Sequence, residues 1–236
     1  MKPSLLSRTI HKWLGLLIGL QLVLWTVSGF YMVVVDLDFI HGDPLVRNLG
    51  TPVNIEQAKI GFLQITQSHP QSTQISLRAL PSHLAPVYEV TTGRAKILID
   101  GANGHALSPL SERMIQALAR SYYAGKGVVH SVALLEGTPP LEIQTRTLPL
   151  WRVDFDDWLE TSLYIHPDTG TLVTRRHRFW RWFDFFWMLH IMDYEQRMDM
   201  NNVVLRVTTI VSLIGVVSGI WLLYFSFRRR PTRAAR

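Results

Sequence analysis

The residues of this chain that could ligate a metal ion are histidines, methionines and carboxylates, because none of its 236 residues is a cysteine. Without thiolates the chain cannot hold a cysteine-ligated zinc ion, an iron–sulfur cluster or a covalently attached c-type haem, and it cannot form a disulfide. Imidazole is thus the available nitrogen ligand. The nine histidines are His11, His41, His69, His83, His105, His130, His166, His177 and His190.

Two long apolar segments must position these histidines. Residues 13–35 carry no charge, and at about 1.5 Å of rise per residue they exceed a hydrocarbon core of ~30 Å. The competing interpretation is a secretory signal peptide, but its apolar region is usually only about 7–15 residues long and ends at an Ala-x-Ala-like cleavage site. Val27-Ser28-Gly29 is the nearest approach to such a site. We therefore predict retained transmembrane helices over residues 13–35 and 203–227.

The charges divide along the chain in a way that predicts its orientation. The tail of residues 1–12 has three basic residues and no acid, and the tail of residues 228–236 has five arginines and no acid. The net charge is +6, so the residues between the tails sum to −2. Basic flanks at both outer ends place both termini in the cytoplasm and the middle domain, residues 36–178, outside it. No nucleic-acid partner is needed to explain the net charge.

Each predicted transmembrane helix contains a pair of glycines four residues apart. The pairs are Gly15 with Gly19 and Gly215 with Gly219. Small residues at this spacing let helix backbones approach closely within a bilayer. The pairs could pack the two helices of one chain together, or they could contact a second copy or another membrane subunit.

A repeated order of elements organises the middle domain. A helical pattern, three strand-like segments and a glycine turn occur over residues 52–108 and again over residues 109–175. The first helix is predicted over residues 55–69 and the second over residues 111–123. We expect two related α+β units with antiparallel strands, so the fold class is membrane α plus an extracytoplasmic α+β domain.

Residues 179–202 form an aromatic segment before the second transmembrane helix. Three tryptophans, four phenylalanines and a tyrosine lie between residues 179 and 194, a density typical of a membrane interface. On a helix, Phe183, Phe186, Trp187 and His190 would share a face. This predicts an imidazole among aromatic rings.

Four motifs resemble the PepSY-associated transmembrane family and together extend over nearly the whole chain. HKWLGLLIGLQLVLWTVSGFYMV resembles the first helix of that family, YIHPDTGTLV the end of a PepSY unit, and FFWMLHIMDY with LIGVVSGIWLLY the approach to its closing helix. The resemblance implies a bacterial inner-membrane protein linked to iron acquisition and electron transfer. Some members are haem-b ferric-siderophore reductases, which commonly have four or more transmembrane helices, whereas this chain has two.

Haem b, if bound as the resemblance implies, needs two axial ligands on the same side of the bilayer. On the outer side we expect His190 and His41 to be the ligands, with His177 in reserve. Arg206 or Arg197 is expected to pair with the propionates. On the inner side His11 stands alone, so its partner ligand would come from a second copy or another subunit. A flavin on a partner is the alternative redox centre.

Three classes of function remain open. The first is an electron-transfer protein that passes electrons to an acceptor outside the cytoplasm. The second, which the PepSY resemblance also implies, is a non-catalytic module that binds or restrains proteases. The third is an accessory subunit that packs its helices against a larger membrane complex. No Ser-His-Asp, HExxH, Walker or GxGxxG pattern supports hydrolysis, zinc proteolysis or direct nucleotide binding.

Overall fold

The computed structural model describes residues 3–227. Lys2 of the predicted N-terminal tail and the five arginines of residues 228–236 lie outside the described residues. The helices are α1 Pro3–Val34, α2 Leu37–His41, α3 Phe62–Ser68, α4 Glu112–Tyr122, α5 Arg178–Ile191 and α6 Val203–Phe227. The strands are β1 Gln74–Arg78, β2 Val87–Thr92, β3 Ala95–Asp100, β4 Val128–Leu135, β5 Leu150–Asp156, β6 Ser162–Ile165 and β7 Leu172–Arg176.

The described chain divides into two compact units. The helical unit holds residues 3–36 and 182–227, and therefore α1, most of α5 and α6. The sheet unit holds residues 37–181, with all seven strands and the first residues of α5.

Helices α1 and α6 are each long and apolar enough to cross a membrane. The apolar spans run over His11–Val34 and Val203–Tyr224, and only 17% and 6% of them are buried inside the structure. A core helix of a water-soluble domain would instead be mostly covered by protein. The prediction of two apolar helices of membrane-spanning length is thus confirmed, although α1 begins at Pro3, ten residues before residue 13. Proline fits this place because the first helical N–H has no intrahelical partner.

The two glycine pairs have different surroundings. A Cβ built on Gly215 would lie 3.1 Å from Ile18 Cδ1, and one built on Gly219 would lie 3.0 Å from His11 Cε1. These glycines therefore allow α6 to pack closely on α1. A Cβ on Gly15 or Gly19 would have no neighbour within 4 Å among the described residues. The Gly15 and Gly19 face of α1 is open.

The sheet unit contains two antiparallel sheets, β1-β2-β3 and β4-β5-β6-β7. Strand β2 shows why the first sheet is covered on both faces: Tyr88 and Val90 pack with Ile65 of α3, whereas Val87 faces the opposite side. The prediction of one helix over residues 55–69 is wrong in its first half, because Ile55–Gln57 is a single 3-10 turn. Gly61 has an extended backbone that separates this turn from α3.

Helix α4 joins the two sheets into one core. Its buried residues Ile115, Leu118 and Ala119 follow helical i, i+3, i+4 spacing and pack with buried side chains of both sheets. Leu98 of the first sheet and Leu163 of the second are each completely buried in this core. Strand β7 gives the second half four strands where three were predicted. The general α+β fold is as predicted, whereas the identity of its halves as PepSY-like units stays a prediction.

Candidate functional site

The structure separates the nine histidines between the two units. His11 and His190 belong to the helical unit, and the other seven belong to the sheet unit. Both helical-unit histidines contact a serine and the glycine that follows it on another helix. We call each set of serine, glycine and imidazole a Ser–Gly cradle, named after its histidine.

The His190 cradle joins the end of α5 to α1. His190 Nδ1 lies 2.9 Å from Ser28 Oγ, and a Cβ built on Gly29 would lie 3.7 Å from His190 Cε1. Ser28 is completely buried. The backbone of the same histidine is also fixed, because Trp25 Nε1 donates a 2.8 Å hydrogen bond to the His190 carbonyl.

The hydrogen bonds of Ser28 determine the tautomer of His190. The single hydroxyl hydrogen of Ser28 is donated to backbone carbonyls of its own helix, at 2.7 Å to Leu24 O and 3.2 Å to Trp25 O. Ser28 Oγ therefore accepts from His190, and the imidazole proton lies on Nδ1. In the neutral ring the lone pair is then on Nε2, which makes no hydrogen bond within the described chain. This is the form in which imidazole binds a metal ion.

The His11 cradle has the same arrangement at the other end of α1. His11 Nδ1 lies 2.9 Å from Ser218 Oγ, and Ser218 donates its hydroxyl hydrogen to Gly215 O at 2.8 Å. Gly219 lies next to the ring, where a Cβ would approach Cε1 to 3.0 Å. By the same reasoning Nδ1 carries a proton, and in the neutral ring the lone pair is on Nε2, which makes no hydrogen bond among the residues that the structure describes.

The two cradles are built from the same tripeptide. Val27-Ser28-Gly29 of α1 holds His190, and Val217-Ser218-Gly219 of α6 holds His11. Sequence reasoning used the first tripeptide only as a possible cleavage site and did not connect it with the second. The signal was nevertheless present, because Val-Ser-Gly occurs in both apolar segments.

Each cradle supplies one imidazole. Ser28 follows His11 by seventeen positions in α1, a distance of about 25 Å along the helix axis. One haem cannot be ligated by both histidines across that distance. Within the described residues no group of three or more His, Asp or Glu side chains could hold a metal ion. The helical unit therefore provides two separate imidazoles, with no second histidine beside either of them.

Comparison with known proteins identifies no relative: no protein-family model, no curated protein and no solved structure matches this chain. The resemblance to the PepSY-associated transmembrane family therefore rests on the four sequence motifs alone.

A carboxylate organises the turn between α5 and α6. Asp193 accepts hydrogen bonds from the backbone N–H groups of Asp199 and Met198, each at 2.9 Å, and from those of Gln196 and Glu195. These four donors lower the pKa of Asp193 to about 2. Met192, next to this carboxylate, has a left-handed φ of 55°. The turn fixes the backbone directly after His190.

The two arginines expected to pair with haem propionates have different surroundings. The guanidinium of Arg197 forms an ion pair with Asp184, and only 23% of its side chain is exposed. Arg206 is exposed and donates from Nε to Asn201 O at 2.7 Å. Since the charge of Arg197 is already paired, Arg206 is the better placed of the two to meet an added anion.

Within the helical unit, the aromatic rings of α5 pair mainly with one another. Phe183 and Trp187 are stacked with their centroids 6.4 Å apart, and Phe186 contacts Tyr31 at 4.9 Å. The imidazole of His190 instead has its hydrogen bond to α1. The structure thus describes a histidine oriented by a serine of α1, a contact that the sequence did not predict.

The other two predicted ligands belong to the sheet unit. The His41 side chain is exposed, and its carbonyl accepts a 3.0 Å hydrogen bond from Arg175 Nε. His177 is completely buried and donates from Nε2 to Phe39 O and Ile40 O at 2.9 and 3.1 Å. Its Nδ1 is buried without a hydrogen-bond partner in the described chain. His177 thus joins α2 to the end of β7, a structural role that occupies one ring nitrogen.

We expect His177 to make the sheet unit sensitive to acid. Burial lowers the pKa of His177, and the nearby Arg181 acts in the same direction. As the pH falls below the ordinary value of about 6.5, the unfolded chain binds the proton before the folded one does, so the free energy of unfolding decreases. Hydrogen exchange at the amides of β6 and β7, compared between about pH 7.5 and pH 5, measures this loss.

The control is His177→Gln, whose amide can still donate to the two carbonyls but does not titrate. It should remove most of the pH dependence of exchange. His105→Ala, at an exposed histidine, should retain it. An unchanged pH dependence in His177→Gln would contradict the assignment.

Proposed function

We propose that this chain is an electron-transfer protein of the bacterial inner membrane, of the PepSY-associated transmembrane type, and that it binds haem b. The observation that carries the proposal is the pair of Ser–Gly cradles. Each holds an imidazole by Nδ1 and leaves Nε2 without a hydrogen bond in the described chain, and the cradles lie about 25 Å apart along α1. That separation is suited to moving electrons between the two sides of a membrane.

The charge of the tails supports an orientation for this path. Both termini lie in the cytoplasm in the proposed topology, so the His11 cradle is near the inner surface and the His190 cradle near the outer surface. Bound haem supplies an iron that accepts and releases one electron at a time. The serines orient the imidazoles, the glycines leave room for the rings, and Arg206 offers a cation to propionates at the outer surface.

The incomplete ligand set implies a partner. Each cradle supplies one histidine. For His190 the second axial ligand is proposed to be His41 of the sheet unit, whereas for His11 it would come from a second copy or another membrane subunit. The open face of Gly15 and Gly19 supports such an association, because helices pack closely at small residues in a bilayer. The same face also favours the alternative role of an accessory subunit in a larger membrane complex.

The sheet unit takes the role of an extracytoplasmic domain in this proposal. Its two halves, residues 52–108 and 109–175, are proposed to be PepSY-like units. An external acceptor such as ferric iron bound by a chelator, or a flavin on a partner, would receive the electrons. If the chain holds no redox centre, the alternative function of the sheet unit is that of a non-catalytic binding module.

Reoxidation by an external acceptor tests the proposed function. The full-length chain, expressed with haem supplied, is reconstituted in vesicles, reduced with a membrane-permeant quinol and mixed with ferric citrate. We expect the haem absorption to return to its oxidised form. Gallium citrate is a control of the same charge that cannot be reduced, and it should leave the spectrum unchanged. An equal response to both chelates, or a response to neither, would contradict electron transfer to a ferric acceptor.

Ser28→Ala should weaken haem binding without removing the ligand. Without the hydrogen bond to Ser28, neither the tautomer nor the ring orientation of His190 is fixed. Loss of a group that orients a metal ligand typically lowers metal affinity by about 10–100-fold. Haem titration of the purified variant measures the change. Thr26→Ala is the matched control, because the Thr26 hydroxyl also donates to its own helix, at 2.8 Å to Leu22 O, but is exposed. Equal affinities for both variants would contradict the role of Ser28.

A further inference from the structure

A cleft of about 640 Å³ opens in the sheet unit, bounded by the chain after α2, the end of β1, the end of α4 and strand β7. Its size is within the range of small-molecule sites, about 300–1,000 Å³. None of the predicted site residues lines it. What it could bind depends on its arginines.

Positive charge is concentrated along this cleft. Arg47, Arg78 and Arg175 line it together with a single carboxylate, Asp43, which gives the lining a formal charge of +2. A second cleft in the same unit, of about 440 Å³, has four carboxylates and two arginines along its wall and a formal charge of −2. One cleft of the sheet unit is thus lined by net positive charge and the other by net negative charge. The positive cleft attracts anions.

Two of the three arginines are held in place before any ligand arrives. Arg78 donates from Nε to Glu89 at 2.8 Å and from Nη2 to the Thr169 carbonyl. Arg175 donates from Nε to the carbonyl of His41 and is also paired with Asp43. Fixed side chains lose little conformational entropy on binding.

Arg47 differs from them because its side chain makes no hydrogen bond or ion pair with any residue that the structure describes. It is exposed, and its backbone is fixed by a 2.8 Å hydrogen bond from its N–H to Tyr122 O. The guanidinium of Arg47 is therefore available to bind a ligand. It can donate two parallel N–H hydrogen bonds to one carboxylate, the geometry that carboxylates accept best.

We propose that this cleft binds a small anion with two or more carboxylate groups. Three guanidiniums from three different parts of the chain are spread over a cleft much larger than one phosphate ion, so a ligand with several separated carboxylates can contact more of them. The site stands independently of haem, because all of its residues belong to the sheet unit.

Isothermal titration of the full-length chain in detergent with citrate tests the proposal. We expect saturable binding that weakens as salt is added. Arg47→Gln should reduce the affinity by roughly ten- to a hundredfold, the value of one charge-assisted hydrogen bond. Since the Arg47 side chain has no partner to lose, this variant should fold like the wild type. Arg94→Gln is the matched control, because Arg94 is also exposed but lies outside the cleft lining.

Three results would overturn the proposal. One is the absence of saturable citrate binding to the wild type. Another is an equal loss of affinity in Arg47→Gln and Arg94→Gln, which would show attraction to overall charge only. The third is binding of inorganic phosphate as tight as that of citrate, which would replace the polycarboxylate with a single compact anion.

Discussion

His190→Ala is expected to lose the haem at one end of the helical unit, and His11→Ala the haem at the other end. Each variant removes the imidazole of one cradle and with it the Nε2 atom proposed to ligate the haem. No other histidine of the helical unit can replace it. The haem content per chain should fall by about half in each variant and to nearly nothing in the double variant. Pyridine haemochrome assay with protein quantification measures this ratio.

The control for both substitutions is His105→Ala, which removes an exposed imidazole of the sheet unit. Its haem content should equal that of the wild type. If His190→Ala and His11→Ala keep the full content while His41→Ala loses it, the ligand would be in the sheet unit and the cradles would be only structural.

Gly219→Val is expected to have the second large effect. The Cβ of the new side chain would lie 3.0 Å from His11 Cε1, and the two γ-methyl groups would need further space in the same place. Overpacking of this kind costs about 1–3 kcal/mol. The ring must move away from Ser218, so the variant should lose haem at the His11 cradle and unfold at a lower temperature in detergent.

Gly15→Val is the matched control, because a Cβ at Gly15 meets nothing within 4 Å in the described structure. The two substitutions change helix propensity equally, so only Gly219→Val should reduce the thermal stability of the single chain. A change of oligomeric state in Gly15→Val would locate the partner helix on that face. Equal destabilisation by both variants would show that packing on His11 is unimportant.

Sequence reasoning succeeded where the signal was local. The length and apolar character of the two segments predicted helices that can span a membrane, since these properties depend on each segment alone. The alternation in β2 and the i, i+3, i+4 spacing in α4 likewise predicted the α+β character of the middle region. The helix predicted over residues 55–69 is interrupted at residues 58–61, where Ala58 and Gly61 have extended backbones.

The candidate site could be predicted only in part. His190 and His11 were chosen from their positions beside apolar segments, but their serine partners lie 162 and 207 residues away in the sequence. Such pairs depend on which face of one helix packs on another, and that is a tertiary property. The role of His177 was missed for the same reason, because its partners are carbonyl groups of Phe39 and Ile40, which no sequence pattern marks.

The most direct test of the central claim is the absorption spectrum of the full-length chain, purified in mild detergent after expression with haem supplied, before and after reduction with dithionite. Two imidazoles held by Nδ1 with Nε2 free predict a Soret band that shifts on reduction, with a visible band of reduced haem b. The band should weaken in His190→Ala and His11→Ala and stay unchanged in His105→Ala. A wild-type protein with no Soret band at all would contradict the account, because the Ser–Gly cradles would then hold imidazoles that bind no haem.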